Sequence, residues 1–135
     1  MFTIAVCDDD MQERIQEVQI VKNIFSQKEL EAGIEEFQTG QHFLDVLHRV
    51  PYDIVLLDIQ MGEVSGFTLA EELYKITGGE NIIFVSSMEN LVFESIHFRP
   101  FRFVRKSHLE EELTEAVESW IQQNTKTECL EFDET

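Results

Sequence analysis

The chain has 135 residues, of which 43% are hydrophobic, and its formal net charge is -17. This length and apolar content predict one globular domain with a contiguous core, while the negative charge disfavours direct binding of the domain to nucleic acids. No apolar stretch approaches the about 20 residues that span a bilayer, and the start of the chain does not resemble a secretory signal. We therefore expect a cytoplasmic protein without membrane contact.

Five short apolar segments bounded by turn residues predict β-strands. They are residues 2–7, 34–37, 54–57, 82–85 and 101–104. The first, third and fourth segments are apolar at successive rather than alternate positions, which indicates burial on both faces, as in a parallel sheet covered by helices. Helical spacing of apolar residues occurs between the strands and after the last one, at Ile15, Val18, Val21, Ile24 and Phe25, and at Leu109, Leu113, Ala116, Val117, Trp120 and Ile121.

Capping signals agree with the alternation of strands and helices. Asp10 with Glu13 predicts the start of the first helix, Thr39-Gly40 the start of the second, and residues 78–79 the end of the third. A fourth helix is expected at about residues 90–97. Residues 107–110 fit an S-x-x-E capping box for the last helix.

These elements predict an α/β fold with a doubly wound, five-stranded parallel sheet, flavodoxin-like in the order 2-1-3-4-5, and helices on both faces. We assign residues 1–123 to this domain. Residues 124–135 lack a helical apolar stripe and are interpreted as a linker or the start of a truncated C-terminal effector domain.

Polar residues follow four of the strands. Asp8, Asp9 and Asp10 follow the first, Asp58 the third, Ser86 and Ser87 the fourth, and Arg105 and Lys106 the fifth. Because ligands of open parallel sheets bind at the carboxyl ends of the strands, we expect these residues to form one cluster, with Asp10 as a helix cap. Carboxylates held close together need a cation, so the pattern predicts a Mg²⁺ site with Asp9 and Asp58 as ligands and Asp8 in the water shell.

This cluster suits phosphoryl chemistry. An Asp carboxylate can attack phosphorus and form an aspartyl phosphate when a metal and a lysine neutralise the transferred charge. Asp58 is the predicted nucleophile and Lys106 the second neutralising group. The Ser86 hydroxyl can donate to a phosphoryl oxygen, which would give its loop a reason to move.

Residues 2–123 resemble the receiver domain of bacterial response regulators. Residues 4–10 (IAVCDDD) resemble its opening strand and acidic pair, residues 52–61 (YDIVLLDIQM) its phosphoacceptor strand and loop, and Gly66 lies eight residues after Asp58. The resemblance implies that Asp58 receives a phosphoryl group from a sensor histidine kinase. It implies Mg²⁺ bound by Asp9, Asp58 and the backbone carbonyl of Gln60, with assistance from Asp8.

The resemblance also implies that Ser86, Ser87 and Lys106 contact the phosphoryl group and that Ser86 and Phe103 form the switch. Such a domain is not an enzyme, because it assists only its own aspartyl phosphorylation and dephosphorylation. Residues 93–106 resemble receivers that precede LytTR-type DNA-binding domains. DNA would then be bound only through a C-terminal domain that this chain lacks.

Three positions depart from the family pattern. Gly62 stands where many members have proline, so the loop after Asp58 is expected to be more mobile. Ser107 replaces the proline that usually follows the lysine through a cis bond, and a cis bond to Ser costs about 3–4 kcal/mol, so the direction of Lys106 is not fixed by analogy. Phe103 lacks a hydroxyl, which leaves packing as the means of switching.

A cluster of aromatic residues suggests a partner surface. Phe93, Phe98 and Phe101 lie around the fourth helix and fifth strand, where receivers often pair, and we hypothesise a phosphorylation-favoured homodimer through them. Two alternatives stay open. One is a receiver-like binding module that is never phosphorylated; the other is a phosphatase of the haloacid-dehalogenase type, whose hallmark acid would stand where Gln60 is found.

Overall fold

The computed structural model describes the backbone of residues 1–133 and the side chains of residues 1–125. Strands and helices alternate as predicted. The strands are β1 (Phe2–Cys7), β2 (Ala32–Phe37), β3 (Ile54–Leu57), β4 (Ile82–Ser86) and β5 (Arg102–Arg105). The helices are α1 (Met11–Gln27), α2 (Gly40–Val46), α3 (Gly66–Thr77), α4 (Val92–Ser95) and α5 (Leu109–Asp133). Helix α4 is a single turn between 3₁₀ turns at Glu89–Leu91 and Ile96–Phe98.

The five strands form one parallel sheet in the order β2-β1-β3-β4-β5, which confirms the predicted topology. The register aligns the last residues of β1 and β3, because Cys7 pairs with Leu57, and Leu57 in turn pairs with Phe84 of β4. The residues that follow β1 and β3 therefore leave the sheet side by side. From β1 the chain continues to β2 on one side of β1, and it then crosses to β3 on the other side. Ligands of such sheets bind at this switch point between β1 and β3.

Both faces of the central part of the sheet are buried, because alternate residues of β1, β3 and β4 enter two different apolar clusters. One cluster joins Ile4, Val6, Ile54, Leu56, Ile83 and Val85 to α1 and α5, and the other joins Ala5, Cys7, Val55, Leu57, Ile82 and Phe84 to α2 and α3. A strand covered on both sides has no solvent face, so its residues are apolar at successive positions. Cys7 is a buried apolar residue, as its sequence context indicates.

Three helix boundaries agree with the predicted signals. The side chains of Asp10 and Thr39 accept hydrogen bonds from the third residues of α1 and α2, and Gly78 ends α3 in a left-handed conformation with φ 75°. At residues 107–110, where a capping box was predicted, the structure instead has a 3₁₀ turn that spans Lys106–His108. The Ser107 hydroxyl contacts the side chains of Glu89 and His108.

The buried face of α1 differs from the predicted stripe at one position. Val18, Val21 and Ile24 are buried, but Ile15 is 52% exposed, and Glu17 occupies the inward-facing position at the same end of the helix. Because residues three and four apart share a helix face, Glu17 lies in line with Val21 and Ile24. An ionisable side chain therefore points from α1 toward the sheet.

Helix α5 continues through Asp133, beyond Ile121, the last buried residue of its predicted stripe. The interpretation of residues 124–135 as a linker or effector start stays a prediction, and residues 134–135 lie outside the described part of the chain. Among the described residues, no helix has both the length and the apolar character required to cross a bilayer.

Candidate functional site

Three carboxylates meet at the carboxyl ends of β1 and β3. The Asp8 amide donates to the carbonyl of Phe37, and the Asp58 amide to that of Cys7, so both residues continue their strands by one ladder bond. One carboxylate oxygen from each of Asp8, Asp9 and Asp58 lies within 4.8 Å of the other two. Asp8 and Asp58 are buried, whereas Asp9 is exposed at the mouth of the cluster.

Lys106 reaches this cluster from the end of β5. Its Nζ lies 2.9 Å from Asp8 Oδ2 and 3.2 Å from Asp58 Oδ2, and it also forms an ion pair with Glu13. No peptide bond among the described residues is cis, so Lys106 takes this direction with a trans bond to Ser107. The replacement of proline by Ser107 therefore does not turn the lysine away from Asp58.

The loops around the triad hold the remaining polar residues of the predicted site. The backbone N–H of Gln60 lies near enough to the Asp58 carboxylate to act against the rise of its pKa, so the loop after β3 passes beside the triad. Ser86 is buried, and its hydroxyl accepts a hydrogen bond from the amide of Met88 at 3.0 Å. Ser87 is exposed. Ser86 thus shapes the start of the loop after β4.

Two glycines set the path of the loop between β3 and α3. A Cβ on Gly66 would lie 2.2 Å from the carbonyl oxygen of Asp58, so the first turn of α3 can approach the end of β3 only because this residue has no side chain. Gly62 has φ +73° and open space around it. A proline, whose φ is held near -65°, could not adopt this conformation.

The aromatic residues of the predicted dimer face divide into two environments. Phe93 is 82% exposed. Phe98 stacks on Phe67 with ring centroids 5.4 Å apart, and Phe101 packs against the cluster between the sheet, α1 and α5. Phe103, the predicted switch residue, is half-buried with its ring centroid 6.4 Å from that of Phe84. A cavity of about 400 Å³ between α4, β5 and α5 borders this ring.

Glu17 is a buried acid beside the triad that the sequence analysis missed. Its side chain is fully buried against the Asp8 carboxylate, and neither of its oxygens accepts a hydrogen bond in the described part of the chain. Two carboxyl groups in contact can form a hydrogen bond only when one carries a proton. Its position one turn before Val21 on the apolar face of α1 was a usable signal in the sequence.

Burial and charge set the protonation of these groups. Burial, with the adjacent Asp8, raises the pKa of Glu17 to about 10, so Glu17 holds the proton of that pair. Burial also acts to raise the pKa of Asp8, but the adjacent protonated Glu17, the hydrogen bond from the Asp10 amide and the charge of Lys106 hold it below its usual value. Asp8 is therefore anionic.

The pKa of Asp58, the candidate phosphoacceptor, is shifted in the opposite direction to that of Asp8. Burial raises the pKa of Asp58 to about 6, with Lys106 opposing the shift and Asp8 adding to it. Burial alone would lower the pKa of Lys106, yet its contacts with Glu13, Asp8 and Asp58 raise it. Lys106 is thus a permanent cation, and Asp58 is an anion above about pH 6.

The donor atoms fit a hard divalent cation. Three carboxylates within 4.8 Å of one another leave more negative charge than one lysine balances. Asp8 Oδ2 is buried and accepts no hydrogen bond of normal geometry from the described residues, although Lys106 Nζ lies close to it. Mg²⁺ takes oxygen ligands and needs only one or two carboxylates besides water. An acidic triad of this kind is typical of a Mg²⁺ site.

The profile of a protein family described as "Response regulator receiver domain" matches residues 4–118 of the chain. Among curated proteins, the "Sensory transduction protein LytR" of Staphylococcus epidermidis (strain ATCC 12228 / FDA PCI 1200) is 24% identical over 91 residues, 65% of this chain. The match covers 36% of that protein, so the chain spans little more than a third of this relative.

Solved structures share the fold. TrrA from Thermotoga maritima, in complex with Mg(2+)-BeF, has a TM-score of 0.73 at 24% identity, and the match covers 89% of this chain and 99% of that one. Full-length FixJ from B. japonicum has a TM-score of 0.75 at 23% identity, with 98% and 64% covered. At identities of this size the likeness concerns the fold alone.

Proposed function

Because this chain belongs to the response regulator receiver family, we propose that it is a signalling switch in which Asp58 accepts a phosphoryl group from a sensor histidine kinase. As a receiver, it is a phosphoacceptor domain rather than a catalytic enzyme. The observation that carries the proposal is the position of Lys106 Nζ, 3.2 Å from Asp58 Oδ2 at the edge of the acidic triad. A buried carboxylate with a fixed cation beside it is suited to in-line attack on phosphorus.

In the proposed transfer, a carboxylate oxygen of Asp58 forms a bond to phosphorus while the bond from phosphorus to the histidine nitrogen of the kinase breaks. The electron pair of that bond leaves with the imidazole, and Asp58 becomes an acyl phosphate. Lys106 would stabilise the charge on the phosphoryl oxygens. Asp58 must be deprotonated to attack, which its pKa of about 6 allows at neutral pH.

Asp8, Asp9, Asp58 and the backbone carbonyl of Gln60 are the proposed holders of Mg²⁺. The ion would neutralise negative charge on the transferring group. Asp9 is exposed and one of its carboxylate oxygens lies within 4.8 Å of one of Asp58, which supports direct ligation by these two. Asp8 is already engaged by Lys106, by the Asp10 amide and by Glu17, which supports a role through the water shell.

The proposed response to phosphorylation starts at Ser86. Its hydroxyl would exchange the Met88 amide for a phosphoryl oxygen, Ser87 would follow, and the loop after β4 would shift. Phe103 could then change its burial by moving toward or away from the cavity between α4, β5 and α5. Packing would be the only switching force there, since a phenyl ring forms no conventional hydrogen bond.

The output is proposed to be transcriptional. The distant similarity to a LytR protein that is longer than this chain supports an attached LytTR-type DNA-binding domain. The 135-residue chain carries a formal net charge of -17, so any DNA contact would belong to such an attached domain. We also propose a phosphorylation-favoured homodimer through the face that carries Phe93, which is a large apolar side chain left in solvent.

The test is phosphorylation of the chain by acetyl phosphate with Mg²⁺, followed by intact mass measurement. We expect one base-labile phosphoryl group per chain, none in Asp58→Asn, and none when Mg²⁺ is chelated. Asp45→Asn, an exposed carboxylate of α2, is the matched control and should retain the label. Absence of an Asp58-dependent label would favour the passive binding module, and repeated turnover of phosphate esters would favour a phosphatase.

A further inference from the structure

Lys106 is shared among three carboxylates, one of which lies outside the triad. Its ammonium contacts Asp8, Asp58 and the side chain of Glu13 in the first turn of α1. The Lys106 side chain is 12% exposed, whereas that of Glu13 is 40% exposed. An ammonium group has three N–H donors, so the three carboxylates can occupy all of them.

Glu13 is held in this position by the start of α1. Its amide donates to the Asp10 side chain at 2.9 Å, which is the helix cap. The next residue, Arg14, donates to the carbonyl oxygen of Asp8 at 2.8 Å and forms an ion pair with Glu36. These contacts fix the first turn of α1 on the end of β1, so the carboxylate of Glu13 is presented to Lys106 by an ordered backbone.

A phosphoryl group on Asp58 would change which oxygens the Lys106 ammonium contacts. Its oxygens carry more negative charge than a carboxylate and would compete for the ammonium group that Glu13 and Asp8 now contact. The Lys106 contact with Asp58, at 3.2 Å, is longer than its 2.9 Å contact with Asp8. Glu13 also adds a negative charge near the incoming group, which opposes its binding.

We propose that Glu13 is a positioning residue that competes with the phosphoryl group for Lys106 and thereby lowers the affinity of the site for that group. The inference rests on the proposed phosphoacceptor function. Because Glu13 is partly exposed and its charge is screened by solvent, its effect on affinity is moderate, about three- to tenfold. Removing its charge frees Lys106 and strengthens phosphoryl binding.

The experiment measures binding of beryllofluoride, a phosphoryl analogue, to the full chain by isothermal titration calorimetry at saturating Mg²⁺. Glu13→Gln should bind about three- to tenfold more tightly than the unchanged protein, and Glu13→Ala should shift in the same direction. Glu36→Gln is the matched control, because Glu36 is a neighbouring carboxylate of similar exposure that contacts Arg14 rather than Lys106. It should stay within about twofold of the unchanged protein.

A titration with Mg²⁺ alone distinguishes competition for Lys106 from a general change of charge or shape. Loss of a carboxylate near a cation site leaves Mg²⁺ binding unchanged or weaker, so tighter beryllofluoride binding without tighter Mg²⁺ binding supports the inference. Equal or weaker beryllofluoride binding by Glu13→Gln overturns it. If the unchanged protein shows no Asp58-dependent beryllofluoride binding, the proposed function itself fails, and the role of Glu13 falls with it.

Discussion

Glu17 places an ionisable group between α1 and the sheet. Burial of a carboxyl group without donors is unfavourable for its charged form, so the side chain keeps its proton, and the pKa rises to about 10. Its contact with Asp8 then helps to hold Asp8 anionic beside Lys106. The protonation of the triad thus depends on a side chain that contributes no atom to its surface.

Substitution Glu17→Gln should remove a pH dependence of stability. In the unfolded chain Glu17 titrates near its usual value of 4.5, so between about pH 5 and pH 10 the folded state binds more protons than the unfolded state. The free energy of unfolding should therefore fall as pH rises across this range, by at most about 1.4 kcal/mol per pH unit. Urea unfolding of metal-free protein at several pH values measures this slope.

The free energy of unfolding of the Glu17→Gln protein should depend less steeply on pH than that of the unchanged protein. Glu118→Gln removes an exposed carboxylate from α5 and should leave the slope as it was. Equal slopes for the unchanged and Glu17→Gln proteins would show that Glu17 does not retain its proton in the folded state.

The loop from β3 to α3 contains two glycines with different physical requirements. Gly66 lacks room for a side chain, because the backbone of Asp58 and Ile59 lies where a Cβ would be. Gly62 has room but a positive φ. The first requirement is steric and the second conformational, and both act on the segment that carries Asp58 and Gln60.

Alanine substitutions separate these two requirements. Gly66→Ala forces α3 away from the end of β3 and should lower the free energy of unfolding by about 2–3 kcal/mol. Gly62→Ala only places a side chain at positive φ and should cost about 1 kcal/mol. Chemical denaturation of both variants gives the comparison. A larger loss for Gly62→Ala than for Gly66→Ala would contradict the assigned packing of α3 on β3.

Among the side chains that the structure describes, Phe93 on α4 is a largely exposed aromatic residue, at 82%. Phe98, close by in sequence, is part of the packing around Phe67 and Phe84. The two residues belonged to one predicted dimer face. Because their burial differs, we expect different roles for them. Phe93 is available to a partner, whereas Phe98 packs within the domain.

Alanine substitutions of Phe93 and Phe98 should therefore differ in their effects on stability and on dimer formation. Phe93→Ala should change the free energy of unfolding by less than about 0.5 kcal/mol, whereas Phe98→Ala should lose about 2 kcal/mol through its ring contacts. In sedimentation with Mg²⁺ and beryllofluoride, Phe93→Ala should weaken the proposed dimer of the unchanged protein. A dimer that is insensitive to Phe93, or a protein that stays monomeric with the phosphoryl analogue, would contradict this surface.

Much of the fold and the centre of the site could be predicted because the rules involved are local. Continuous apolar runs indicate strands buried on both faces, and parallel strands place the residues after their carboxyl ends at one edge of the sheet. Asp8, Asp9, Asp58 and Lys106 meet there for that reason. The helix caps at Asp10 and Thr39 were predictable because they use side chains three residues from the amides they bind.

The sequence by itself thus determined the parallel sheet and the meeting of the acids with Lys106. Tertiary structure decided the rest: Glu17 rather than Ile15 faces inward, α4 is one turn long, Phe98 packs within the domain, and Lys106 is shared with Glu13. These outcomes depend on the rotation of α1 about its axis, the packing of α4 and the direction of a long side chain. Contacts between distant segments set such features. Of these, only the inward position of Glu17 also has a local signal, its place one turn before Val21 on the apolar face of α1.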